Sequence, residues 1–496
     1  MTSRLVRRTL VLLVCLPLAA HAQSPKPLKI ETDWSKILLT SKSTATLQVV
    51  VNPPLRRGSE IHDAAFRNLK NLGADYVRYV PWLPYPRLAV AELEPPTPTT
   101  TSWDFSLIDP MTVDFLNATE GHSVILNFST APAWLFKTDA PVKYPEDPNE
   151  VTWHYTQGSE LKDPTGQDLA AYYARLVDWY TNGGFSDENG KRHDSGHHFN
   201  IPYWEVFNEP DIEHHPTPEQ YTERYDSIVA AIRKDNPQMK FVGLALAFPS
   251  THPEMFEYFL NHANHKPGIP LDMISYHFYA TPTPEQTADH WQYTFFDQAD
   301  RFLATVRYIE EIRKRLSPET RTTVDEIGSI LSTDFAEPPP PIPDAYWRLS
   351  GALFSYIYID LVQQGIDVIG ESQLVGYPTQ FPSVSMLNWK SGEPNARLAT
   401  LQLLKDNFGP GDQVVTTKAD GQEVAAQAFE HQGKKKLLLV NKRDRSISVE
   451  LPGEFSTATL STISGAADGA KPVQSDWHGT TLTLAPFAVV VLAAGS

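Results

Sequence analysis

Residues 202–244, PYWEVFNEPDIEHHPTPEQYTERYDSIVAAIRKDNPQMKFVGL, decide the fold. The run 202–207 is β-prone and apolar, and the acidic, proline-punctuated loop after it ends the strand. Thr217-Pro218-Glu219-Gln220 then carries the signs of a helix start: Thr217 to cap, Pro218 at the first helical position and Gln220 where a capping box wants it. Tyr221, Tyr225, Ile228 and Ile232 recur at helical spacing and form one buried face, and a second apolar run begins at Lys240. Strand, helix, strand in this order is a βαβ unit with a parallel sheet.

Working outward, the same unit repeats. Strands are expected at 46–51, 75–80, 123–128, 202–207, 240–244, 272–277, 322–326 and 366–370. Helices are expected at about 60–71, 109–119, 167–181, 218–235, 252–264, 296–317, 345–364 and 393–408. Eight of each, with near-continuous apolar strands, favour a closed (β/α)₈ TIM barrel over an open sheet. From 411 the pattern changes to short β-prone runs separated by Gly, Pro, Asp or Asn, which read as a small C-terminal β-sandwich. The expected division is a signal peptide at 1–22, an extension at 23–45 that joins the sandwich, the barrel at 46–410 and the sandwich at 411–496.

The chain has 496 residues and a formal net charge of -17, with 41% hydrophobic residues. That balance excludes a disorder-dominated chain and argues against a nucleic-acid partner, which needs a cationic face. Arg4, Arg7 and Arg8, the apolar stretch Thr9 to Ala20 and Ala20-His21-Ala22 form a cleavable export signal, so a secreted or periplasmic location is expected. The only cysteine, Cys15, lies within that signal. The rest of the chain therefore holds no disulfide, no thiolate metal site and no cysteine nucleophile. The loop cluster His193, Asp194, His197 and His198 lacks metal-ligand spacing, and there is no glycine-rich phosphate loop, so neither metal nor cofactor is expected.

In a TIM barrel the chemistry gathers at the C-terminal ends of the strands. The fourth strand ends in Asn208-Glu209-Pro210, the sixth in His277-Phe278-Tyr279, the seventh in Asp325-Glu326 and the second carries Arg78. Alternation along the fourth strand places Glu205, Phe207 and Glu209 on one face. Along the seventh it turns Asp325 toward the helices. An arginine among apolar neighbours requires an anionic partner.

These strings resemble clan A retaining glycoside hydrolases, and most closely glycoside hydrolase family thirty-nine, the β-xylosidases and α-L-iduronidases. The resemblance implies Glu209 as acid/base and Glu326 as nucleophile. It makes Asn208 a sugar-binding amide, His277 and Tyr279 pocket residues, and Arg78 the support of the nucleophile. Asn127, Trp134, Glu371 and Trp389, near the ends of the third and eighth strands, complete the expected substrate-binding set. Arg78-Tyr79-Val80-Pro81-Trp82 departs from the family's arginine followed by a glycine-histidine pair, which shapes the terminal-sugar subsite.

The activity implied is double-displacement hydrolysis of an oligosaccharide or glycoside, with exo-acting β-xylosidase first. The alternatives are another clan A specificity (β-galactosidase, β-glucosidase, arabinosidase or an endo-acting enzyme) and an inactive carbohydrate-binding protein.

Overall fold

The computed structural model describes residues 26–153 and 158–495. The expected signal at 1–22 lies outside them. Eight parallel strands close into a barrel: Thr44–Val50, Val77–Val80, Val124–Leu126, Tyr203–Glu205, Lys240–Leu246, Met273–Ala280, Arg321–Ser329 and Val368–Glu371, with the last pairing back onto the first. Each coincides with an expected strand, because strands buried on both faces read as continuous apolar runs. The helix Pro218–Asp235 has the full capping box, with Thr217 accepting from the Gln220 N–H and Gln220 from the Thr217 N–H. Its face of Tyr221, Tyr225, Ile228 and Ile232 is buried as the spacing requires. The helix expected at 296–317 begins earlier, at Ala288; the one expected at 252–264 ends at Phe259 and is followed by a 3-10 turn, His262–Asn264.

The C-terminal residues build a β-sandwich from one curled sheet. Strand Leu28–Thr40 lies at the fold of the curl, antiparallel to Gln413–Ala419 and, at Leu28 and Lys29, parallel to Ile447–Glu450. Strand alternation gives this sheet two apolar faces. Leu437, Leu439, Val490 and Leu492 fill the sandwich, while Leu438, Val440, Val489 and Val491, with Val414 and Phe429, join the core shared with the barrel. At about 1.5–3 kcal/mol per buried apolar side chain, six such groups rival the whole ~5–15 kcal/mol stability of a typical domain. A chain of residues 23–410 should therefore be insoluble or melt without cooperativity. Expression followed by thermal unfolding checks this, and a soluble, cooperatively melting truncation would show the contact to be dispensable.

Glu92, on the long connection after the second strand, has no exposed surface. Burial, with help from the charge of Glu188, pushes its carboxyl up from 4.5 to about 8. The native state then keeps a proton that the unfolded chain releases, so this group's contribution to stability falls as pH rises from about 5 to 8. Glu92→Gln cannot ionise. Its melting temperature should drop less than the wild type's across that interval, and equal slopes in a pH series of melting curves would rule Glu92 out as a cause.

Candidate active site

Arg78 is the hub of the barrel interior. It is fully buried, and its guanidinium donates to Glu205 (2.5 Å), Gln48 (2.8 Å), Glu326 (2.5 Å) and the side-chain oxygen of Asn208 (2.7 Å), with Asp325 3.6 Å away. Burial opposes its charge, but the three carboxylates outweigh that cost and raise its pKa further. Below the cleft, Glu205 also accepts from Asn127 (2.6 Å) and Ser275 (2.5 Å). Burial is the main reason its carboxyl is pushed up to about 7, against the pull of Arg78. Glu205 and Asn127 are thus supports beneath the floor, and Asn127 donates as well to the Phe207 carbonyl (2.8 Å).

The end of the fourth strand does not keep the alternation expected for Glu205, Phe207 and Glu209. The strand stops at Glu205, and Phe207 takes a left-handed backbone (φ 63°), which turns its ring outward among Tyr173, Tyr221 and His214. Glu209 is left-handed as well (φ 42°) and caps the short helix Pro210–Glu213. Its N–H is fixed by the carbonyl of Ala245 (2.9 Å), at a bulge in the fifth strand. Non-glycine residues held in this region mark a backbone determined by its surroundings. Here the outcome is a carboxylate aimed over the barrel mouth.

The seventh strand also breaks alternation. Its register against the sixth skips from Val324↔Tyr276 to Glu326↔His277, leaving Asp325 in a bulge. Asp325 therefore lies inside the barrel, 3.5 Å from His277 Nε2 and 3.6 Å from Arg78, rather than toward the helices. Burial opposes its charge, but the two cations hold its carboxyl below the usual range. Glu326 accepts from Arg78 on Oε1 and from the Tyr279 hydroxyl on Oε2 (2.5 Å). Gly328 makes room for Tyr279, since a Cβ there would stand 3.1 Å from its ring.

His277 joins the two ends of the site. Its Nδ1 is 2.9 Å from Glu209 and 3.6 Å from Glu326. Burial disfavours its charge, yet Glu326, Asp325 and Glu209 outweigh it and raise its pKa well above 6.5. As an imidazolium it donates to Glu209. The Glu209 carboxyl is raised by burial first and by Glu326 further, while His277 pulls the other way. One oxygen each of Glu209 and Glu326 and one nitrogen of His277 lie within 4.8 Å of one another.

Glu209, Glu326, Asn208, His277 and Tyr279 line a cleft of about 1030 Å³. Asn208 also donates to Glu213 (3.2 Å), which accepts from Trp82 Nε1 (2.7 Å). Besides Asn127, three of the expected contact residues lie outside the cleft. Glu371 has no exposed surface and pairs with Arg397 of the last helix (2.9 Å). In register with Leu47, whose side chain packs between barrel and helices, it points out of the barrel. Trp134 spends its N–H on the Glu92 carbonyl (2.9 Å), and Trp389 packs on the core. The aromatic platform at the mouth is instead Trp82, Trp153 and Phe381, with ring centroids 5.4–6.3 Å apart. The only sequence signal for Trp82 was its place just after Arg78.

Elsewhere, His193 and His197 are each paired with a separate carboxylate, Asp187 and Asp109. Buried His214 donates from Nδ1 to the Gly158 carbonyl (2.8 Å), and burial lowers its pKa to about 4.

Residues 151–302 match the family model of the Alpha-L-arabinofuranosidase 1 domain. That stretch carries Glu209 and His277 but ends before Glu326. Residues 421–492 match the D-apionate lactonase C-terminal immunoglobulin-like domain. Among solved structures, the GH51 arabinofuranosidase from Xanthomonas axonopodis pv. citri aligns over 94% of this chain and 100% of its own, at 13% identity and a TM-score of 0.65. The α-L-arabinofuranosidase from Thermotoga maritima covers 94% and 99% (13% identity, TM-score 0.62), and the GH30 endoxylanase from Clostridium papyrosolvens C71 covers 94% and 100% (13%, 0.58). No curated protein sequence matches the chain. At such identities the structures establish a shared fold, a TIM barrel with an appended β domain. They lend no specific support to the family thirty-nine likeness.

Proposed function

We propose that the chain is a retaining glycoside hydrolase with Glu209 as acid/base and Glu326 as nucleophile. The observation that carries this reading is the approach of the two carboxylates, with an oxygen of each within 4.8 Å, at the mouth of a barrel. Retaining glycosidases need their carboxyl groups about 5–5.5 Å apart, whereas inverting ones leave room for a water. Glu326, oriented by Arg78 and Tyr279, attacks the anomeric carbon while Glu209 protonates the departing oxygen. Once the ester has formed, the negative charge of Glu326 is gone, so Glu209 gives up its proton more readily and then activates water.

The cleft, of about 1030 Å³, has room for a sugar together with its leaving group. An arabinofuranosidase-type specificity has more support than the β-xylosidase reading. The match over 151–302 points to it, and the sequence after Arg78 departs from the xylosidase pattern. We place the protein outside the cytoplasm on the strength of its first 22 residues; among the described residues no helix is long and apolar enough to cross a membrane.

Purified protein assayed on 4-nitrophenyl α-L-arabinofuranoside, β-D-xylopyranoside, β-D-glucopyranoside and β-D-galactopyranoside, with the first-formed anomer read by proton NMR, tests the reading. Turnover with retained configuration is expected. An inverted first product, or no turnover of any aryl glycoside, would remove it.

A further inference from the structure

Eight large hydrophobic side chains are exposed among the described residues, and three of them, Ile212 (42%), Phe248 (56%) and Phe335 (62%), line this one cleft. Exposed apolar groups gathered in one place mark a binding surface. Phe335 packs on Trp153 and Phe381, whereas the other two stand beside Glu209. Ile212 sits on the short helix that Glu209 caps, three residues beyond it. Phe248 is held nearby, because the carboxylate of Asp211, on the same helix, accepts the backbone N–H groups of Ala247 (3.0 Å) and Phe248 (2.8 Å). Pro249 extends the wall. The nucleophile is surrounded differently, by Arg78, Tyr279 and, through Tyr279, Gln48 (3.4 Å).

The leaving group departs on the side of the acid that protonates it. A sugar in that position would bring several hydroxyls, each needing a partner. The side chains of Ile212, Ala247, Phe248 and Pro249 offer none, and the polar side chains that border them are Glu213, already accepting from Asn208 and Trp82, and Ser250. An aromatic ring needs only apolar contact.

We propose that the aglycone side of this cleft is built for an aryl-bearing group, seated against Ile212 and Phe248, so that the preferred substrates are glycosides of aromatic alcohols or phenols. This rests on the glycosidase reading and specifies its substrate class.

Benzyl and methyl glycosides of each sugar in the panel test it, because the two alcohols are of similar acidity and differ mainly in the ring. In the wild type, kcat/KM should be roughly tenfold or more higher for benzyl than for methyl, mostly through KM. The ratio should fall toward one in Phe248→Ser and in Ile212→Ser, with melting curves checking that both variants fold. A wild-type ratio near one, a ratio unchanged in both variants, or faster cleavage of the corresponding disaccharide than of the benzyl glycoside would overturn the proposal.

Calorimetric binding of the same pairs to Glu326→Gln separates the two readings. Tighter benzyl binding with no turnover of any glycoside by the wild type would leave the aryl site standing and remove the glycosidase reading. Turnover with equal binding of benzyl and methyl would do the reverse.

Discussion

Glu326→Gln should lose roughly 10³-fold or more in kcat/KM, because the amide cannot supply the electron pair that forms the glycosyl ester. The fold should survive. Arg78 keeps Glu205 at 2.5 Å and Asp325 at 3.6 Å, so its charge stays compensated, and the melting temperature should move by only a few degrees. Azide should not restore activity with retained configuration, since an anion arriving from the nucleophile's side gives the inverted adduct. Turnover and the anomer of any azide adduct measure this. Near-normal hydrolysis would dismiss Glu326 as nucleophile, and its neighbour would not inherit the role: Asp325 is enclosed beneath the floor, its side chain 2% exposed.

The barrel was legible in the sequence because burial on both faces writes continuous apolar runs for the eight strands, while the helices follow from apolar residues at helical spacing, with the bounds of two of them displaced. Strand Lys471–His478 of the sandwich was not. It is an edge strand that pairs only with Thr457–Ser464, and its mostly exposed residues carry no apolar alternation.

The site shows the same division. Glu209, Glu326, His277 and Tyr279 stand at or near the C-terminal ends of their strands, where position draws attention to them, and Arg78 is conspicuous as a charge inside an apolar strand. Asp325 and Phe207 were misplaced because strict alternation was carried through a bulge and a left-handed residue, neither of which leaves a mark in sequence. Alternation would have served for Glu371, whose register with Leu47 turns it outward to Arg397. Its strand-end position was the weaker guide. Trp134 and Trp389 follow strands, but loops choose their own direction, and only the folded connections bring Trp82, Trp153 and Phe381 together.

Glu209→Ala should separate the two roles, because it removes the proton donor while leaving Glu326 with both of its own donors, Arg78 and Tyr279. The loss should then depend on how badly the leaving group needs a proton. Dinitrophenolate leaves without one, so glycosylation should be only modestly slowed; an alkyl or sugar leaving group should be slowed by about 10²- to 10⁴-fold, the usual worth of general acid catalysis.

Deglycosylation suffers for a different reason, since no base remains to activate water. Azide needs no base, and it enters from the side that Glu209 occupied. It should accelerate release of the glycosyl-enzyme with net retention, giving the opposite anomer to any adduct of Glu326→Gln. The basic limb of the kcat/KM profile should flatten as well. In the wild type that limb follows the proton on Glu209, whose pKa is raised by burial, and activity is lost as pH rises through it. The imidazolium of His277, freed from Glu209, still faces Asp325 and Glu326, so the variant should keep its fold. A leaving-group series of aryl glycosides, with and without azide, reads all of these effects. An equal loss for every leaving group, no azide effect and an unchanged basic limb would mean that Glu209 is not the acid/base residue, and the pairing proposed across the barrel mouth would have to be given up.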